Sequence, residues 1–378
     1  MMLIAVVMAV FLISRAVLPC SFKWYYKVLL SLVVLCGAFK FFIFRWIGGG
    51  ANLFAPDLPV IVQYIGTGIY CLTFIYFVLL FVVEAFRLVI WLMQKSTGRK
   101  SSNLFRENAN RANLILIFVA VLLTGYGYVM GMILPAVKNH TVEINGLPKS
   151  ANGLRIAVLA DLHIEKTTSE RYVKELVALV NEQKPDVICL TGDMVDGKVD
   201  EIGEKVSLLK DLKASQMIIG VVGNHEYYSG YASWVKFFRN LGVNMLLNDS
   251  KIIDDVVFAG ITDKQGRIYK NGAPDVKKAV NKNRQGRPVI LLSHRPGFVD
   301  EAAKEKVDLQ ISGHTHGGII RGVDYLVAQA NSGYCSGFYK KDKTQLYVSN
   351  GTGIWRGLPL RIGRNAELTI ITLKAPGK

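Results

Sequence analysis

The sequence predicts an α/β domain built as a two-sheet sandwich flanked by helices, preceded by an all-α transmembrane region of about four helices. Three observations predict it. Charged residues are sparse before about residue 94 and dense after about residue 150; four long apolar stretches fall within the first 135 residues; and from about residue 140 short β-rich runs alternate with helical, charged ones. The boundaries drawn from these shifts are 1–137 for the transmembrane helical region, 138–150 for a linker and first strand, and 151–378 for the α/β domain.

The transmembrane reading rests on length. Residues 2–14 continue to about Pro19 with Arg15 as the interruption, 28–44 are apolar apart from Lys40, 58–93 contain the charge-free run 65–83, and 113–135 form the cleanest span. A bilayer core of about 30 Å takes about 20 residues of helix with few charges. Glu84 and Arg87 read either as an intramembrane pair or as the cytoplasmic end of a tilted helix. Lys23 and Lys27, with Arg15 at their edge, mark one basic loop, and Lys95, Arg99, Lys100, Arg106 and Arg111 mark another, whereas GGGANLFAPD between spans two and three has no basic residue. The positive-inside rule puts both basic loops in the cytoplasm, so the C-terminal domain of this multi-pass cell-membrane protein is expected on the extracytoplasmic side; Lys40 and Arg45, toward the outer end of span two, count against it.

Charge and cysteine usage exclude other classes. The net charge is +16, yet residues 1–149 hold 13 Lys/Arg against 4 Asp/Glu and the remainder 32 against 25. More than half of the excess lies beside the apolar segments, where it sets topology and meets anionic lipid, so the lipid bilayer is the expected partner and nucleic acid is not. Cys20, Cys36, Cys71, Cys189 and Cys335 show no metal spacing, and Cys189 sits in VICLTGD, which reads as a buried strand.

In the C-terminal part, LRIAVLAD, VICLTGD, QMIIGVVGN, VVFAGI, PVILLSH, VDLQISGH, QLYVSNG and LTIITL read as strands, being rich in β-branched and aliphatic residues and ending at Gly, Asn, Asp or His. SERYVKELVALVNEQ and SWVKFFRNLG carry apolar residues at helical spacing. Strands interleaved with helices imply a layered α/β domain.

The strand ends carry the chemistry. DLH supplies Asp161 and His163, GDMVD supplies Asp193 and Asp196, GNHE supplies Asn224, His225 and Glu226, SH supplies His294, and GHTHGG supplies His314 and His316. Five of the six histidines therefore cluster with carboxylates and an amide, while His140 stands apart just past the last apolar span. Two divalent ions about 4 Å apart need a bridging oxygen and a mix of imidazole, carboxylate and amide donors. Alternation along an extended segment would aim Asp161 with His163, and His314 with His316, into one cavity. Asp196 either orients a ligand or caps the following helix; Arg295, Arg356 and Arg361 are candidate phosphate contacts or solvated arginines; Tyr227, Tyr228 and Trp234 either line a groove or fill the core.

In order and spacing, DLH, GDxxD, GNHE, the lone His after a strand and GHTH resemble the calcineurin-like metallophosphoesterases, over about residues 150–374. SGHTHGG, the late YVSNGTG and PLRIGRNAELTIITL make the chain similar to the bacterial YkuE-like subgroup; the multi-span region lies outside the family pattern. The resemblance implies that Asp161, His163 and His316 hold one metal, that Asn224, His294 and His314 hold the other, that Asp193 bridges both, and that catalytic His225 protonates the leaving group or stabilises transition-state charge. Ala160 where Ser is common, Glu226 where Asp is frequent and Ile319 where Gln is common depart from the pattern without removing a ligand.

The function expected is a membrane-anchored phosphoesterase with two divalent ions (Mn, Zn or Fe), hydrolysing a phosphodiester or pyrophosphate bond of an envelope lipid or lipid-linked nucleotide by in-line attack of a metal-bridged hydroxide. One alternative is a tethered phosphatase or phosphodiesterase acting on a soluble phosphorylated molecule. Another is a membrane receptor or transport component that binds without turnover.

Overall fold

In a computed structural model, residues 1–49, 56–97 and 109–377 are described. They form two compact units: Met1–Val129 with Arg356–Leu360, and Met130–Trp355 with Arg361–Lys378.

The first unit is helical: α1 (Met2–Leu12, continued by a wider turn to Val17), α2 (Trp24–Ala38), α3 (Lys40–Gly48), α4 (Val60–Ser96) and α5 (Ala109–Met132). Among the described residues, α4 and α5 are long and apolar enough to cross a membrane. The expected span over 28–44 is instead a pair of helices, α2 and α3, bent by 76° and equal to one further span only if taken together. The break falls at Phe39, which leaves helical geometry with ψ at 15°. It follows Gly37, where a Cβ would collide with the Thr73 hydroxyl at 2.1 Å, and precedes buried Lys40, which donates to Thr67 Oγ1 at 3.3 Å and to the Gly357 carbonyl at 3.0 Å. The first expected span, Met2–Val17, is among the shorter apolar helices and reaches only about 24 Å at about 1.5 Å per residue. Among the described residues the helical region therefore offers two or three spanning elements where about four were expected. Much of the basic loop at 94–112, with Arg99, Lys100 and Arg106, and most of GGGANLFAPD lie outside the described residues.

The second unit contains two six-stranded sheets, one ordered β1-β12-β2-β3-β4-β5 and the other β10-β11-β9-β8-β7-β6. The strands are β1 Ala136–Glu143, β2 Arg155–Leu159, β3 Val187–Thr191, β4 Met217–Val221, β5 Asn244–Met245, β6 Asp249–Ile253, β7 Val256–Gly260, β8 Val289–Leu292, β9 Leu309–Ser312, β10 Gly337–Lys341, β11 Thr344–Val348 and β12 Glu367–Lys374. β1 begins two residues before the expected linker. Each of the eight runs read as strands forms one.

Alternation builds the layers. Ile156, Val158, Val187, Cys189, Ile219 and Val221 of the first sheet face Phe258, Ile290, Leu292, Leu309 and Ile311 of the second. Their neighbours Ala157, Leu159, Ile188 and Leu190 turn the other way and pack under helices that supply Leu176, Val180, Trp234 and Phe238. Strands buried on both faces read as continuous apolar runs, and parallel pairing suits them. β2, β3 and β4 are mutually parallel, as are β7, β8 and β9, so the C-terminal ends of each set open on one edge.

Candidate metal centre

The loops that leave those strand ends carry the polar side chains. The loop after β2 pairs with the loop after β3: Asp161 N–H donates to Gly192 O at 3.1 Å and His163 N–H to Asp193 O at 3.0 Å. The loop after β9 is pinned to the first of these, because His314 N–H donates to both carboxylate oxygens of Asp161 at 3.0 Å. Gly192 has φ +88°, and a Cβ there would meet Gly223 N at 2.7 Å and His294 Nδ1 at 2.8 Å, so the β3 and β4 loops approach only because side chains are absent.

The expected extended geometry is not what aims the donors. Asp161, His163, Asp193, His314 and His316 all have positive φ, between 44° and 74°. Non-glycine residues adopt this region at a cost of order 1–3 kcal/mol and persist there where surrounding bonds over-determine them. As a result DLH sends both donors to one place, whereas HTH divides its two.

Three groups of donor atoms converge, each within 4.8 Å: Asp161, His163 and His316; Asp193, His294 and His314; and His163, Asp193 and His225. His163 Nε2 stands 3.1 Å from His316 Nε2, and His316 Nε2 stands 3.8 Å from Asp161 Oδ1. Asp193 Oδ2 lies 3.1 Å from His294 Nε2 and 3.9 Å from Nε2 of both His163 and His225, which places it between the groups. His314 Nδ1 is 3.2 Å from His294 Nε2.

This donor set fits divalent cations. Buried imidazoles and carboxylates are crowded nitrogen to nitrogen, and His316 Nδ1 is buried with no hydrogen-bond partner among the described residues. Burial holds His314 and His316 well below the usual histidine range, leaving both imidazoles in the neutral form that binds metal, and drives Asp161 up, toward a proton that a cation would have to displace. At His294 burial opposes the charge, but Asp193 outweighs it and lifts the imidazole to about 9.

His225 is built differently. Its Nδ1 is hydrogen-bonded to Asp196 Oδ1 and its N–H donates to Asp193 Oδ1 at 2.8 Å. Burial opposes its charge, yet the Asp196 and Asp193 carboxylates raise it to about 10. Asp196 also binds His163 Nδ1 at 2.9 Å, so one carboxylate orients two imidazoles. The helix that follows starts after Lys198, so Asp196 orients histidines and does not cap it.

The arginines separate. Arg295 donates through Nε to Asp263 Oδ2 at 2.6 Å, through Nη2 to Asn224 Oδ1 at 2.8 Å, and its Nη1 is 2.6 Å from His314 Nε2. It lies against Asn224 and His314 themselves. Arg361 is completely buried and spends its guanidinium on the carbonyls of His316 at 3.2 Å, Gly351 at 3.3 Å and Gly353 at 2.7 Å, bracing the loop that carries His316 instead of presenting a free fork to a phosphate. Arg356 belongs to the stretch grouped with the helical unit.

Trp234 and Tyr227 are core residues, with Trp234 Nε1 donating to Gly197 O at 2.9 Å and Tyr227 stacked on Tyr231. Tyr228 and Trp355 place their rings 5.3 and 6.4 Å from that of His225. His140 packs its ring against Phe338 and Tyr347, away from the other five. One functional neighbour escaped sequence reasoning, Asp263, whose signal is its place just past the end of β7 on the same edge; Glu226 is visible as a strand-end residue, but its role depends on contacts across loops.

Comparison with known proteins places this geometry. A profile described as "Calcineurin-like phosphoesterase" matches residues 154–318. The chain is 30% identical over 365 residues to a metallophosphoesterase of Campylobacter jejuni, covering 93% of this chain and 91% of that one. A zebrafish (Danio rerio) protein named "Transmembrane protein with metallophosphoesterase domain" is 30% identical over 291 residues, 74% of this chain and 66% of its own. The Bacillus subtilis metallophosphoesterase YkuE is 29% identical over 268 residues, 66% of this chain and 90% of that one.

Proposed function

The chain belongs to the calcineurin-like metallophosphoesterases, and from that premise we propose that it uses two divalent ions to hydrolyse a phosphodiester or pyrophosphate bond at a membrane surface, on an envelope lipid or lipid-linked nucleotide. The observation that carries the reading is the convergence of donors from five strand ends around Asp193. Asp161, His163 and His316 would hold one ion, Asn224, His294 and His314 the other, and Asp193 would serve both. Mn, Zn and Fe all accept such mixed nitrogen and oxygen donors. When bound, the ions would neutralise the charge of a phosphate ester and lower the pKa of water toward neutrality.

The chain's own residues supply the rest. His225, lifted to about 10, carries a proton at neutral pH, and because Asp196 holds its Nδ1, the proton available for the leaving oxygen is on Nε2. Asp196 fixes the same orientation in His163, so one carboxylate serves both binding and proton transfer. Tyr228 and Trp355 beside His225 offer an apolar wall for a leaving group.

The apolar helices α4 and α5, and relatives named as transmembrane proteins, support a membrane-embedded anchor. The basic loops support an extracytoplasmic catalytic domain. A reporter fused to the C-terminus tests sidedness: a cytoplasmic signal reverses it. For the chemistry, the full chain is purified in detergent, loaded with Mn or Zn, and given a phosphomonoester, a phosphodiester and a lipid pyrophosphate. Turnover of the diester or pyrophosphate at least ten times faster than the monoester is expected. A preference for soluble monoesters would replace this reading with a tethered phosphatase, and absence of any turnover would leave a non-catalytic binding component.

A further inference from the structure

The helical unit holds a polar cavity of its own, about 680 Å³, walled by aliphatic side chains and lined by Ser14, Arg15, Glu84, Arg87 and Asn113. Three charged groups around one space are unusual in helices of this apolarity, because a charge at membrane depth costs several kcal/mol unless it is paired or functional. Two of the three cancel: Arg87 is bonded to Glu84 one turn away. Arg15 is the third, and among the described residues its guanidinium makes no hydrogen bond or ion pair. The cavity therefore carries one net positive charge.

The floor is rigid. Asn113 of α5 is buried, donates through Nδ2 to the Ala16 carbonyl at 3.0 Å and accepts from the Tyr76 hydroxyl of α4 at 3.0 Å. One side chain thus ties together the three helical segments that surround the space. The depth is equally defined. Glu84 is 24 residues along from Val60, about 36 Å at about 1.5 Å per residue, a little more than one bilayer core. Leu18 and Pro19 follow the end of the first helix and Ala112 sits in the first turn of α5, so the cavity lies where the first helix ends and α5 begins. Lys23, Lys27, Lys95 and Arg111 lie on the adjoining segments in sequence.

We propose that this cavity binds a phosphate group, with Arg15 as its principal contact, in the form presented by an anionic phospholipid whose chains run along the aliphatic wall. A guanidinium matches phosphate bidentately, and basic pockets between helices at headgroup depth select anionic lipids. Glu84, by neutralising Arg87, limits the site to a single phosphate and disfavours polyanions. The site is independent of the chemistry at the strand ends.

The test uses the full chain in detergent, titrated with phosphatidylglycerol, with phosphatidylcholine and with inorganic phosphate, read by native mass spectrometry and by the thermal midpoint. Wild type is expected to bind phosphatidylglycerol at least tenfold more tightly than phosphatidylcholine. Arg15→Gln should lose that preference, Arg15→Lys should keep part of it, and Lys23→Gln, whose ammonium lies over Tyr25 and not in the cavity, should leave it intact. Stabilisation of wild type but not Arg15→Gln by inorganic phosphate would support the same site with a soluble source. Equal binding of the two lipids by wild type, with no response to phosphate, overturns the proposal whatever the variants do.

Discussion

Glu226 and Asp193 interlock through each other's surroundings: the Glu226 carboxylate accepts the Asp193 N–H at 3.0 Å, while the Asp193 carboxylate accepts the N–H of His225, the residue before Glu226, at 2.8 Å. Glu226 also accepts from Met194 N at 2.7 Å and Gly223 N at 2.6 Å. One fully buried carboxylate therefore clasps the loops after β3 and β4. Burial and Asp193 push it up to about 7 against the pull of those amides. An amide in its place would turn a donor toward backbone donors. Glu226→Gln is expected to lower the thermal midpoint and weaken metal binding at least tenfold, while Glu226→Asp retains more of both. Unchanged metal affinity in the Gln variant, measured by competition with a chelator, would show that the clasp does not hold Asp193 in place.

How much of this was legible beforehand follows from burial. Strands covered on both faces, such as Val187–Thr191 and Val289–Leu292, announce themselves as apolar runs. β5, β6 and β10 do not, because the first has two residues and the others alternate or expose polar groups at sheet edges. The identity of the site residues was readable from side-chain type at strand ends. Their backbone was not, since the positive φ of Asp161 and His316 depends on loops meeting across the edge. The same holds for Arg361, which finds its carbonyl partners up to 45 residues away, and for the bend at Phe39, which no run of apolar residues betrays.

Removing the shared donor should be decisive. Asp193→Ala or His316→Ala is expected to abolish metal-dependent hydrolysis of a phosphodiester probe and to lower bound metal in elemental analysis. Full activity in either variant would sink the assignment of this cluster.

His225 and Asp196 should separate rate from affinity. His225→Ala is expected to lower kcat roughly 100-fold or more with metal content near wild type, in line with the 10²–10⁴ that a placed proton donor contributes. Asp196→Asn can accept a proton from one of the two imidazoles but not both, so it should lose rate through His225 and, through His163, about 10–100-fold in metal affinity. If the two variants behave alike in metal binding, Asp196 acts on His225 only.

Metal should stabilise the fold as well as the reaction. Without a cation, Asp161, Asp193 and the crowded ring nitrogens of His163 and His316 are buried against one another. Each ion supplied at about 100 times its dissociation constant should add about 2.7 kcal/mol, seen as a rise in thermal midpoint that a chelator reverses. A midpoint indifferent to metal would mean the cluster is already satisfied without it.

Arg295 poses the sharpest question, because its guanidinium lies on Asn224 and His314, two residues assigned to the second ion. A cation held by these two residues would displace the Nη1 and Nη2 contacts by charge repulsion, while Asp263 can keep its grip on Nε. The freed nitrogens would then face an incoming phosphate beside the ions. Arg295→Ala is accordingly expected to retain or tighten metal binding and to raise KM about tenfold for a phosphodiester, with a smaller change in kcat. Asp263→Asn should raise KM as well, since the arginine loses its tether. The opposite pattern, loss of metal with KM unchanged, would mean that Arg295 braces Asn224 and His314 and never leaves them.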